Sequence, residues 1–172
     1  IGEWCNIGAD TNTSNLKNNY GLVNTYSYAS NNIEQTDVQF MGLMMGDHSK
    51  CGINTMFNTA AVVGVSCNVF GAEFPPKYIA SFSWGLQNEN YAFSKAIIAS
   101  NNMMKRRELE LSENEIEILK PLFNLVDALI FDNNSLQEAR YFVMGQICVA
   151  KAARKQGVFS KLYAHLIERT KN

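Results

Sequence analysis

The sequence predicts a mixed β and α chain in which a short parallel β-helix of hexapeptide repeats is followed by helices and then by a strand-loop-helix segment. Three observations carry that expectation. Apolar residues recur with a period of six from Gln39 to about Phe70. Helical apolar spacing begins near Asn90, and Tyr141 to Leu166 reads as strand, loop and helix. The expected divisions are 1–88 for the repeats, 89–129 for the helices and 130–172 for the last segment.

The repeats are visible as Met45-Gly46, Cys51-Gly52, Phe57-Asn58, Val63-Gly64 and Val69-Phe70. Four residues after the first four of these apolar positions stand Ser49, Thr55, Ala61 and Cys67, all small. The opening residues keep the same grammar, with Ile1-Gly2 and Ile7-Gly8 followed by Cys5 and Thr11. A hexapeptide β-helix needs an inward apolar residue on each short strand and a small residue near each corner. Neither an amphipathic helix nor simple alternation produces a period of six. Between Thr13 and Val38 the register shifts in a stretch rich in Asn, Ser and Tyr, where a loop is expected to leave the repeats. That loop is either a binding loop or a solvated connection. Pro75-Pro76 ends the pattern, and Tyr78 to Trp84 is expected to pack along or across the final coil.

Helices come next. Phe93, Ile97, Ile98 and Met104 stand near helical spacing between about Asn90 and Arg106, and Lys105-Arg106-Arg107 suits a solvated helix end. Ser112 and Glu115 form a capping box ahead of Ile116, Leu119, Leu122, Phe123 and Val126. Beyond Leu129, Asp132-Asn133-Asn134-Ser135 reads as a turn and Tyr141 to Val149 as a strand. Gly157 then opens a run with Val158, Leu162, Leu166 and Ile167 on one face.

Composition narrows the partners. The 172 residues are 47% hydrophobic and carry a net charge of -1, which offers no broad electrostatic footprint for nucleic acid or an anionic membrane. Cys5, Cys51, Cys67 and Cys148 form no CxxC pair and have no zinc-like spacing to His48 or His165, so no metal is expected. Buried thiols in a reducing cytoplasm fit this usage. No stretch reaches the roughly 20 apolar residues that span a bilayer.

Residues 1–126 resemble the C-terminal part of bacterial bifunctional sugar nucleotidyltransferases that carry a glucosamine-1-phosphate N-acetyltransferase β-helix. The resemblance rests on IGEWCNIGADTNTSNLKNNY at 1–20, MGDHSKCGINTMFNTAAVVG at 45–64, FPPKYIASFSWG at 74–85 and KRRELELSENE at 105–115. It implies a left-handed parallel β-helix that forms a homotrimer and binds acetyl-CoA and an amino-sugar phosphate between subunits. It also implies that Asn6 lines the sugar and acetyl site and that Asn15 stands for the asparagine of an Asn-Tyr pair, with Leu16 in place of the tyrosine. Ile53 and Thr59 fall where the family has small residues whose backbone meets the acetyl-CoA arm. Asparagines at β-helix corners also satisfy turn backbone, which is the alternative role for Asn6 and Asn15. Amine acetylation needs a base and oxyanion donors. By this register the family's histidine base would lie upstream of Ile1, and His48 is expected to be a surface or hydrogen-bonded residue.

The segment YFVMGQICVAKAARKQGVFSKLYAHL, Tyr141 to Leu166, resembles the central strand, cofactor loop and following helix of GNAT acetyltransferases. There, loop and helix N-terminal N–H groups hold a pyrophosphate. The resemblance implies that Ile147 to Val149 pair with the pantetheine amides. It also implies that Arg154, Lys155, Gln156, Gly157, Val158 and Phe159, with Ser160, cradle the pyrophosphate. Arg154 and Gly157 match that family's pattern, and Phe159 departs from it. An ordinary strand-turn-helix with a basic loop is the alternative.

The resulting expectation is an acetyl-CoA-dependent N-acetyltransferase acting on an amino-sugar phosphate in nucleotide-sugar synthesis, with weak or absent turnover by this chain alone. A GNAT-type transferase of an unidentified amine and a non-catalytic trimerising β-helix are the competing readings.

Overall fold

A computed structural model describes residues 1–86 and 89–131. The first part consists of very short strands: β1 (Asn12–Thr13), β2 (Asn24–Ser27), β3 (Asn32–Gln35), β4 (Met44–Met45), β5 (Lys50–Cys51), β6 (Met56–Phe57), β7 (Val62–Val63), β8 (Asn68–Val69), β9 (Tyr78–Ile79), β10 (Ser83–Trp84) and β11 (Glu89–Asn90). Two helices follow, α1 (Phe93–Lys105) and α2 (Glu113–Phe131). The architecture is mixed β and α, as the sequence predicts.

The parallel pairings explain the period of six. Met44 lies beside Val62 and Lys50 beside Asn68, eighteen residues on in each case, so three hexapeptides return the chain to the same position. The ladders are β4-β7-β9, then Asn6 with β5-β8-β10, then β1-β6. Beyond Pro75-Pro76 the return shortens to sixteen residues, with Val62 beside Tyr78 and Asn68 beside Trp84. Tyr78 to Trp84 thus joins the ladders as a further coil.

The inward residues are those the repeat singles out. Met45, Cys51, Phe57, Val63 and Val69 are buried together with Ala61, Cys67 and Ile79. Ser49 shows why small residues follow the corners. Its hydroxyl donates to the Gly64 carbonyl at 2.7 Å and accepts from the Cys67 N–H at 3.0 Å, closing backbone groups that water cannot reach. Ile1 and Ile7 depart from expectation. They share the inward register but remain exposed, because they face the end of the stack that no described coil covers.

Seven of the corners pass through a left-handed backbone conformation. Trp4, Asp10, His48, Asn54, Ala60, Ser66 and Phe82 all have φ between 51° and 61°. Only Asp and Asn are at ease there among non-glycine residues. The coils also approach closely at the glycines. A Cβ on Gly64 would lie 2.4 Å from the Ser81 nitrogen, and one on Gly46 would lie 2.7 Å from the Gly64 carbonyl oxygen.

The three columns of corners are covered differently. Over the column of Trp4, His48, Ser66 and Phe82 lies a second core, in which Val65 and Phe82 pack with Ala96, Met104, Leu119 and Leu122. This is the helix-covered corner. The expected capping box starts α2: the Ser112 N–H donates to Glu115 Oε2 at 2.7 Å, and the Glu115 N–H donates to Ser112 Oγ at 3.3 Å. Pro121 sits inside α2, yet Leu119 and Leu122 on either side of it are buried. The second column, at Thr59-Ala60, lies under the segment expected as a loop from Thr13 to Val38. That segment contains a β2-β3 hairpin with Asn24 beside Gln35 and Ser27 beside Asn32. Its Val23 is fully buried, and Thr25 Oγ1 donates to the Ala60 carbonyl at 3.2 Å. The third column, with Asp10 and Asn54, is open.

Candidate functional site

Ser14, next to Asn15, meets Thr59 at the hairpin-covered corner, where the chain leaves the coils after β1 and returns before β4. Ser14 N–H donates to the Phe57 carbonyl at 3.0 Å, continuing the β1-β6 ladder into the corner. The hydroxyls of Ser14 and Thr59 are 3.0 Å apart and share a hydrogen bond. The Asn15 carbonyl accepts from Met41 N–H at 3.0 Å, and Met41 in turn accepts from Ala60 N–H at 2.8 Å. The returning strand is thereby sewn to both residues. Thr59 is buried, at 1% exposure, whereas the Asn15 side chain is exposed. Asn15 is the one that can reach a ligand.

Lys77 Nζ donates to the Thr59 carbonyl, and Lys17 Nζ donates to the Leu22 carbonyl at 3.1 Å. Burial and then the charge of Lys17 push the Lys77 ammonium below its ordinary pKa. Beside Lys77, Tyr78 stacks on Tyr26 with ring centres 3.6 Å apart, and Tyr28 meets Tyr78 edge-on at 5.8 Å. Burial raises all three phenols above their usual range, so they remain neutral at physiological pH. Tyr28 Oη is buried without a hydrogen-bond partner of normal geometry.

Asn6 and Ile53 lie elsewhere. Asn6 is exposed on the β5 ladder, where its N–H donates to the Ser49 carbonyl at 3.1 Å and its carbonyl accepts from Cys51 N–H at 2.9 Å. Ile53 is at the open corner, 72% exposed, just before Asn54 donates to the Ala9 carbonyl. The β1-β6 ladder separates this corner from Asn15 and Thr59. The four residues therefore form two groups within one chain. One coil beyond Gly52 is an open cavity of about 600 Å³ walled by Phe70, Phe74, Trp84 and Leu86, with Glu73 and Glu89 also lining it.

His48 is not the surface residue that one of the two expectations makes it. It is buried at the helix-covered corner, and its Nδ1 has no hydrogen-bond partner. Because the helices cover this corner, burial holds its pKa below the ordinary value, despite opposing contributions from Asp47, Glu115 and Glu3. It stands at the opposite end of the β4-β7-β9 ladder from Asn15. Cys5, Cys51 and Cys67 are free thiols, Cys5 half-buried and the others buried. Burial pushes Cys67 up to about 11 and makes it a poor nucleophile. Among the described residues no cluster of His, Cys, Asp and Glu could hold a metal ion, and no helix is long and apolar enough to cross a membrane.

Ile147, Val149, Arg154, Lys155, Gln156, Gly157, Val158 and Phe159 lie outside the described residues, as does the rest of the predicted GNAT-like segment. Sequence reasoning missed Lys17, Lys77 and the tyrosine cluster. Lys77 is eighteen residues beyond Thr59 along the chain, and only the stacking of coils brings its ammonium to the Thr59 carbonyl. No protein-family model matches the chain, and no curated protein matches it.

Proposed function

We propose that the coils form a left-handed parallel β-helix belonging to a cytoplasmic acetyl-CoA-dependent N-acetyltransferase. Its acceptor is an amino-sugar phosphate of the glucosamine-1-phosphate kind, and it serves nucleotide-sugar synthesis. The observation that carries this reading is the corner where Asn15, with an exposed amide, stands beside the Ser14–Thr59 hydroxyl pair and two lysines. Such a corner has neutral donors for a sugar and cations for its phosphate. The Asn15 amide is a candidate donor to the oxyanion that forms when an amine attacks a thioester carbonyl. The apolar cavity one coil beyond Gly52 suits the uncharged arm of acetyl-CoA, since its two carboxylates would repel the phosphates. Ile7, Ile53 and Met56 are exposed large apolar residues that a homotrimer would cover.

Titration calorimetry with acetyl-CoA tests the reading. Asn15→Ala is expected to weaken binding, and Gly157→Ala is expected to leave it unchanged. The reverse pattern would transfer the function to the GNAT-like segment. No binding by the unaltered chain, together with a trimer by light scattering, would leave a non-catalytic scaffold. Turnover is expected to be weak, because among the described residues no histidine stands beside Asn15. Saturable acetyl transfer to glucosamine-1-phosphate would refute that.

A further inference from the structure

The geometry points to the cavity one coil beyond Gly52 as a binding site for a small quaternary ammonium compound of the choline kind. The site makes no use of the Asn15 corner, so the inference holds or fails independently of acetyl transfer.

The way the last coil is built sets the walls. Trp84 in β10 lies directly opposite Glu89 in the antiparallel β11, so the two side chains stand on one face of the sheet. Such pairs have Cβ atoms roughly 5 Å apart, which puts a carboxylate beside the indole. In the preceding coil Asn68 pairs with Trp84, and Phe70, two residues on, sets its ring against the indole at 5.2 Å and 78°. Tyr91 packs on the same indole with ring centres 4.7 Å apart and helps to hold it in place. Phe74 and Leu86 complete the apolar walls, and Glu73 brings the second carboxylate. Phe70, Phe74 and Trp84 are 40%, 62% and 36% exposed, so ring surface is left for a ligand to cover.

Two properties select the occupant. The first is sign. The lining holds two carboxylates and no lysine, arginine or histidine, and neither carboxylate forms an ion pair among the described residues. General acidity does not explain this, because the chain as a whole carries a net charge of only -1. The second is the surface on which a positive charge would rest. Ring faces attract a cation through their quadrupoles, and the indole does so best. A primary ammonium would bring three N–H donors into a pocket of rings, whereas a quaternary ammonium has none to leave unpaired. A hard metal ion fits less well, since it takes roughly six to eight oxygen ligands and the side chains here offer two carboxylates. At about 600 Å³ the cavity also has room for the group that the ammonium carries. An uncharged chain such as the coenzyme A arm would engage the walls alone. Only an organic cation engages walls and carboxylates together, so the two would compete for the cavity.

The test is a titration of the full chain with choline at about pH 7, with ionic strength held constant by sodium chloride and the indole N–H resonance of Trp84 followed by NMR. A saturable shift is expected. The uncharged analogue of choline, with carbon in place of nitrogen, should bind at least about fivefold more weakly. Phe74→Leu keeps apolar bulk but removes a ring face, and should weaken choline binding about threefold. The Glu73→Gln/Glu89→Gln double variant keeps the shape and removes the charge, and should weaken it at least about tenfold. All three positions are exposed, so these variants should melt at the same temperature as the unaltered chain, which separates ligand loss from misfolding. Absence of a saturable shift would overturn the inference. Equal affinity for choline and its uncharged analogue would overturn it too, as would a double variant that binds choline like the unaltered chain.

Discussion

The helix-covered and open corners use the same backbone turn in opposite surroundings. His48 and Ser66 turn through the left-handed region at φ 61° and 55° beneath α1 and α2, whereas Asn54 turns at φ 55° in solvent. In solvent the turn is occupied by Asn, a residue whose side chain tolerates that conformation. Under the helices it is occupied by His48 and Ser66, whose buried Nδ1 and Oγ have no hydrogen-bond partner, and the cost is offset by the apolar burial of neighbours such as Val65 and Phe82. The difference teaches that the repeat fixes the backbone path, while the covering elements decide which side chains the path must carry.

The largest test of that contrast is Phe82→Ala. Phe82 is 1% exposed and packs on Phe93 and Phe123, so its truncation should cost about 3–5 kcal/mol in urea unfolding. Ile53→Ala at the open corner should change stability by less than about 0.5 kcal/mol in the same measurement. Equal losses would mean that the open corner is covered in solution. Next is Gly64→Ala, just before the helix-covered corner. There a Cβ meets the Ser81 backbone nitrogen at 2.4 Å as well as the Ser81 hydroxyl at 2.5 Å, and the backbone cannot swing aside as a side chain could, so a loss of about 2–3 kcal/mol is expected.

The pH dependence sharpens the comparison further. Burial lowers the pKa of His48 in the folded chain, so below about pH 6.5 the unfolded chain binds a proton that the folded chain does not. The stability present above that pH should therefore decline as pH falls toward the folded value, by up to about 1.4 kcal/mol per pH unit. His48→Asn, which tolerates the left-handed turn, should flatten the profile between pH 8 and pH 5.5. An unchanged slope would assign the acid sensitivity to carboxylates. The smallest effect concerns the start of the covering helix. Ser112→Ala removes a reciprocal cap and should cost about 1 kcal/mol, read as a lower midpoint of thermal unfolding.

Much of the stack was legible because its signals are local. The inward set from Met45 to Val69, the small residues Ser49, Thr55, Ala61 and Cys67, and the Ser112–Glu115 box all follow from spacing within a few residues. The hairpin was not legible. Asn24–Ser27 and Asn32–Gln35 are mostly polar, and only contact with the coils buries Val23 and stacks Tyr26 on Tyr78. The left-handed turn at Ser66 or Phe82 was equally hidden, because no local propensity favours it. At the candidate site, Asn15 and Thr59 lie at one corner, joined through Ser14, whereas Asn6 and Ile53 lie apart from them. The contact of Lys77 with Thr59 depends on stacking that no single repeat encodes.

The hairpin also has a kinetic consequence. Asn12 finds its partner Met56 forty-four residues away, whereas the coils built from Met44 onward close at eighteen or sixteen. The longer closure costs only about 0.8 kcal/mol more chain entropy. It nevertheless makes the first coil the natural last arrival, docking onto a stack that later residues can nucleate without it. The amides of Asn12 and Ser14, bonded to Thr55 and Phe57 across that closure, should then exchange with deuterium sooner than those of Gly46 and Gly64. The corner that gathers Asn15, Lys17 and Thr59 would be completed at the end of folding.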